Sequence, residues 1–157
     1  MCISGEKIVN ILSTFLGPII AAVVAYIAVR QYKLAKIKMR IALFDRRNKV
    51  FETVMEFLSG IVQKANVTNE ELHKLLRESR ESYILFKEDI SVYINELYKK
   101  AIRLQFVRGR LDDQNLPVGE ERTKLAEEEY ELLGFFEKQF DVTREKFKKY
   151  LDLGMKF

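Results

Sequence analysis

The stretch IVNILSTFLGPIIAAVVAYIAV, Ile8 to Val29, decides how this chain is read. No charged side chain interrupts its 22 positions; Glu6 and Lys7 precede it and Arg30 follows. At ~1.5 Å of rise per helical residue the run covers about 33 Å, enough to cross a hydrocarbon core of ~30 Å. It predicts a transmembrane helix. A cleaved signal would carry a basic leader, a core of ~7–15 apolar residues and a small-x-small cleavage site. Here the run is longer, Tyr26-Ile27-Ala28-Val29 makes a poor cleavage site, and a dense basic stretch follows at once. That is a stop-transfer pattern.

Flanking charge sets the orientation, because Lys and Arg prefer the cytoplasmic side. Arg30, Lys33, Lys36, Lys38 and Arg40 follow the span, against Lys7 alone before it. The expected arrangement is single-pass in a cell inner membrane. Residues 1–7 form a short outward tail, 8–29 the span, 30–49 a basic juxtamembrane stem and 50–157 a cytosolic helical bundle. Tyr26 and Tyr32 suit the inner interface, where aromatic rings with a polar tip are favoured. Within the span, Ser13, Gly17, Ala21 and Ala25 recur every four residues. Such a smooth stripe lets two helices approach closely in lipid, although Ala and Gly are also common in solitary anchors. Pro18 removes one helix hydrogen bond, so a modest kink is expected there.

The helical pattern continues past Arg30. Leu34, Ile37, Ile41, Phe44, Asn48, Phe51, Met55, Leu58 and Val62 are spaced by three and four, a heptad seam that predicts one long helix to about Ala65. Asn48 is its polar member. A buried Asn can fix register and partner number in a coiled coil; equally, it can face a polar patch or mark a bend. A second stripe, Val50, Val54, Phe57 and Ile61, widens the apolar face. A face that broad suits the first helix of a bundle better than a bare two-stranded coil.

Charge is unevenly spread. The chain has 157 residues and a net charge of +4, yet residues 30–49 hold eight Lys/Arg against one Asp. Residues 50–157 hold 18 Lys/Arg against 21 Asp/Glu, so the bundle itself is mildly acidic. The collar Arg30, Lys33, Lys36, Lys38 and Arg40 accordingly predicts contact with anionic lipid, where each basic residue gains ~1 kcal/mol. A docking site for an acidic protein is the other reading. Nucleic acid is not an expected partner, because the collar lies too close to the bilayer for a duplex.

Further along, Thr68 and Glu71 stand at capping-box spacing and start a helix over about 69–80. A longer helix follows from near Glu81 or Asp89 to about Leu111, with Leu85, Phe86, Ile90, Tyr93, Ile94, Leu97, Tyr98, Ala101 and Leu104 at helical spacing. Asp112–Gly119 is the clearest loop. A helix then runs from Glu120 to about Phe140, and Asp141 is expected to cap a last short helix with Phe147 and Leu151 inward. No stretch alternates with period two for long enough to predict a strand. The fold class is therefore all-α: an anchor and stem packed with three or four further helices as a bundle.

Catalytic patterns are weak. Glu70-x-x-His73 has the spacing of a di-iron carboxylate motif, but that motif is needed twice and His73 is the single histidine. Cys2, the single cysteine, is expected across the membrane from His73, so a Cys-His pair cannot form. Cys2 suits lipidation, a cross-link between chains or simply an ordinary tail position. The scattered glycines make no phosphate-cradling loop, and Glu127-Glu128-Glu129 reads as a solvated face. No catalytic, cofactor or metal residue is assigned, and no cofactor is expected. Arg144, Lys146, Lys148 and Lys149 form a second basic cluster, read as a solvated face with lipid contact as the alternative.

Certain stretches carry a resemblance. Leu43-Phe44-Asp45-Arg46-Arg47 with Val50-Phe51, the run Tyr83-Ile84-Leu85-Phe86, and Phe147-Lys148-Lys149-Tyr150-Leu151 resemble segments of uncharacterised small bacterial single-pass membrane proteins with a cytosolic helical domain. The resemblance implies an inner-membrane setting and no known activity. The functional expectation is a non-enzymatic membrane protein whose bundle binds a protein partner or itself. The alternative is a membrane effector that oligomerises and perturbs the bilayer, as in toxin or antiviral defence systems.

Overall fold

A computed structural model describes residues 5–114 and 117–152, with side chains from residue 16 onward. Every regular element among them is helical. In chain order these are α1 (Gly5–Lys64), α2 (Asn69–Glu78), α3 (Ser82–Leu85), α4 (Glu88–Leu111) and α5 (Glu120–Lys148). The chain divides into two compact units, one reaching Ala42 and the other beginning at Leu43.

The first unit is the N-terminal part of α1. Its helix carries Pro18 internally. Leu16, Ile19, Ile20, Val23, Val24, Tyr26, Ile27 and Val29 are all between 46 and 61 % exposed. This is the one helix among the described residues long and apolar enough to cross a membrane.

The second unit is a helical bundle. The C-terminal part of α1 contributes Val50, Val54, Phe57, Leu58 and Ile61 to the core. Burial thus follows the second stripe of the sequence rather than the heptad seam. Of the seam, Leu58 is fully buried, Phe44, Asn48, Phe51 and Met55 are half-buried, and Val62 is exposed. The reason is packing: a bundle helix buries the face its neighbours cover, and α2 meets α1 through Thr53–Glu78 and Glu56–Lys74, whereas Phe147 of α5 meets Phe51 of the seam.

The α1–α2 connection is a tight antiparallel hairpin. Ala65, just past the end of α1, has φ of 50°, the left-handed conformation that reverses a chain after a helix. The Thr68 hydroxyl accepts from the Glu71 amide and Glu71 accepts from the Thr68 amide, so both halves of the predicted capping box form. The other oxygen of Glu71 holds Lys64 at 2.7 Å. Gly60 allows this approach; a Cβ there would lie 3.0 Å from Glu71 Oε1.

The central helix is α4. Ile90, Tyr93, Ile94, Leu97, Ala101, Leu104 and Val107 are buried at three- and four-residue spacing along one face. It runs antiparallel to α5: Arg103 pairs with Glu128, Arg108 with Glu129 and Arg110 with Glu121 near one end, and Lys149 with Asp89 at the other. Between them a buried polar chain joins the Tyr93 and Thr143 hydroxyls at 2.7 Å, and Thr143 donates onward to the Gln139 carbonyl. Burial raises the Tyr93 pKa above the usual tyrosine range.

Two boundaries differ from those the sequence predicts. No separate terminal helix begins at Asp141; α5 runs unbroken through it, and the Asp141 carboxylate pairs with Arg144 one turn on. Leu85 and Phe86 do not belong to the long helix, because α3 is its own four-residue turn and Phe86 and Lys87 are extended before α4 starts.

Candidate functional site

Gly17, Ala21 and Ala25 of the small-residue stripe are exposed, and nothing lies within 4 Å of a Cβ built at Gly17. The Ser13 side chain, like Cys2, lies outside the described residues. The collar residues Arg30, Lys33, Lys36, Lys38 and Arg40 are all exposed. Arg30 folds back on Tyr26, donating to its hydroxyl at 3.1 Å with the guanidinium 5.6 Å from the ring centre. Asn48 is half-buried and donates to Glu52 Oε1 at 2.7 Å, a contact within its own helix. His73 is exposed on α2.

The structure brings together the three stretches that carry the resemblance. They converge at the end of the bundle where α1 enters it, and Arg47 is the hub. Its Nε donates to the Leu85 carbonyl at 3.0 Å and its Nη1 to the Tyr150 carbonyl at 3.2 Å. Both acceptors belong to backbone that finishes a helix, α3 in one case and α5 in the other. Carbonyls at helix ends lack an intrahelical partner and carry the negative pole of the dipole, so a fixed guanidinium satisfies them well. The same group lies 5.9 Å from the Phe86 ring centre and 5.6 Å from that of Tyr150.

Around Arg47 the aromatic rings interlock. Phe147 meets Phe51 at 5.5 Å and Phe86 at 5.2 Å, and Phe86 meets Tyr150 edge-on at 5.1 Å. Phe147 is wholly buried. At the rim, the Asp89 carboxylate accepts from Lys149 Nζ at 2.7 Å and from the Tyr150 hydroxyl at 2.8 Å. The bond from Lys149 holds the Asp89 carboxyl below the usual carboxylate range, outweighing a partial desolvation, with Tyr150 adding to it. The ends of α3 and α5 are thereby fastened to α1 through one side chain, and α4 is joined to the end of α5 through Asp89.

The chemistry available here is binding and fastening. The rings and Arg47 are turned into one another, and the titratable group that meets them, Asp89, is already engaged by two donors. Sequence spacing did not single out Arg47, because its partners are main-chain carbonyls 38 and 103 residues away. The concentration of aromatic residues in all three stretches was the available signal. No family model, curated protein or solved structure matches the chain.

Proposed function

We propose that this is a single-pass inner-membrane protein with its N-terminus outside, whose cytosolic helical bundle mediates interaction with a protein partner or with a second copy of itself. One observation carries the reading. Among the described residues, the apolar side chains from Leu16 to Val29 are left exposed. Leaving that much apolar surface in water costs ~25 cal/mol per Å², so lipid or other helices must enclose it. The exposed positions Gly17, Ala21 and Ala25 supply a face on which a second helix can pack closely. The basic collar beyond Val29 supports the inward orientation of the bundle.

The test is disulfide cross-linking in native membranes, with single cysteines placed along the stripe at Ala21 or Ala25 in a Cys2→Ser background. Dimer formation at these positions but not at Ile20 or Val24 supports self-association. Monomer at every position, together with no partner recovered from solubilised membranes, overturns the interaction reading. Recovery of the intact chain in the soluble fraction overturns the anchor.

A further inference from the structure

We infer that the cleft between α1 and the segment joining α2 to α3 binds a soluble nucleoside diphosphate, with Arg46, Lys49, Arg77 and Arg80 on its phosphates and Tyr83 stacked on its base. The site lies wholly within the unit that begins at Leu43. It goes beyond the interaction role of the bundle and does not depend on the anchor.

The arginines of this unit point to it first. Arg103, Arg108, Arg110 and Arg144 pair with carboxylates. Arg47 donates to two main-chain carbonyls, and Arg122 is engaged as well. Arg46 and Arg80 stand apart. Both are exposed, and like Lys49 they form no ion pair among the described residues. Arg77 reaches Glu78 only at 3.6 Å. These four cations meet along two adjoining open clefts. One, of about 370 Å³, is lined by Arg46, Arg77, Arg80, Glu81, Tyr83 and Ile84 among others. The other, of about 450 Å³, shares Arg46, Arg77 and Glu81 with it and adds Lys49 and Glu78. Glu78 also accepts from the Thr53 hydroxyl at 3.3 Å. Positive charge thus exceeds negative here, although residues 50–157 as a whole are acidic. Like charges gathered in one cleft repel one another, and a bound anion relieves that repulsion.

The lining orders the ligand. Arg80 and Tyr83 belong to one cleft, Lys49 to the other, and Arg46 and Arg77 to the wall they share. Guanidinium forks match phosphate oxygens in paired bonds. α3 turns Ser82 and Leu85 inward, which leaves Tyr83 68 % exposed at the mouth, open to a flat ring. Stacking on an aromatic side chain accepts any base, so the geometry selects the class of nucleotide rather than the base. Glu81 offers an acceptor to ribose hydroxyls. Each cleft has a volume typical of small-molecule sites. A nucleic-acid strand would need a longer basic track than four residues on an otherwise acidic unit.

The experiment uses full-length protein in dodecyl maltoside, a detergent without phosphate. It is titrated calorimetrically with ADP, GDP, inorganic pyrophosphate and a poly-glutamate peptide at constant ionic strength. ADP and GDP should bind similarly, and roughly ten-fold more tightly than pyrophosphate because of stacking. Arg46→Gln/Arg80→Gln should weaken ADP binding on the order of 100-fold. Lys99→Gln/Lys124→Gln, which removes two cations elsewhere in the unit, should leave it within about two-fold. Tyr83→Ala should bring ADP down to the affinity of pyrophosphate and leave pyrophosphate unchanged. Arg46→Lys/Arg80→Lys keeps the charge but not the fork and should lose about ten-fold. No binding of ADP or GDP at millimolar concentration overturns the proposal, as does binding that survives Arg46→Gln/Arg80→Gln. Pyrophosphate binding as tightly as ADP also overturns it, by making this a site for bare phosphate. So does binding confined to the poly-glutamate peptide, which would give the cleft to an acidic protein segment.

Discussion

Replacing Arg47 by alanine should loosen the end of α5 far more than the middle of the bundle. Its guanidinium makes two bonds to main-chain carbonyls, at 3.0 and 3.2 Å, and lies over two rings. Bonds from a charged donor are worth ~1.5–3 kcal/mol each, and a cation over an aromatic face ~0.5–1 kcal/mol. These values do not add, because one partly exposed group serves all four contacts and water can reach the vacated carbonyls. A net loss of about 2–3 kcal/mol follows, equivalent to a factor of roughly 30–150 in local opening. Hydrogen exchange on the full chain reads this directly. The Tyr150 and Leu151 amides both bond to the Phe147 carbonyl and should lose protection by that factor, with α4 around Leu104 little changed. Arg47→Lys keeps the charge but not the fork that spans two acceptors, so it should recover less than half the loss. Exchange at Tyr150 and Leu151 within about three-fold of wild type would refute the assignment of Arg47 as the fastening residue.

Other outcomes follow from the same geometry. Phe147→Ala empties a fully buried site between Phe51 and Phe86, and should cost ~3–5 kcal/mol in urea unfolding followed by tyrosine fluorescence. Thr68→Ala removes one half of the capping box and should cost ~1 kcal/mol, with lost protection confined to the first turn of α2. Asp89 has a depressed pKa in the folded chain, held there mainly by Lys149. Its contribution is full above the unfolded value of ~3.9 and disappears as pH falls through the lower folded value. Acid titration of wild type should therefore show a loss of stability below about pH 4 that Asp89→Asn lacks; parallel curves would exclude that role.

Where local signals and packing agreed, the chain was readable residue by residue. The capping box at Thr68 and Glu71 forms as spaced, and α1 ends at Lys64 where the pattern placed it near Ala65. Of the two starts the sequence offered for the long helix, near Glu81 and near Asp89, α4 takes the second, although neither Gly nor Pro marks the break before it. That break arises from burial of Phe86 against Phe147 and Tyr150, which pulls the backbone out of helix over Phe86 and Lys87. Asp141 misled for the opposite reason. A capping residue is tolerated inside a helix when the flanking turns are anchored, here by Phe136, Thr143 and Phe147. The heptad seam was a real periodicity, but periodicity does not say which of two adjacent apolar stripes the neighbouring helices will cover. Tyr83 and Ile84 stand outward while Leu85 and Phe86 turn inward, a split that the composition of the run does not encode.

The reach of Arg47 has a bearing on biosynthesis. Its second acceptor, Tyr150, is 103 residues further along. At translation rates of ~5–20 residues per second, the arginine is added to the chain about 5–20 s before that carbonyl exists. Through that interval Phe51 has no Phe147 to rest on. The nascent polypeptide thus faces a window in which a sticky, incompletely covered helix needs guarding, and a chaperone or a slow codon stretch would exert its greatest effect on yield there.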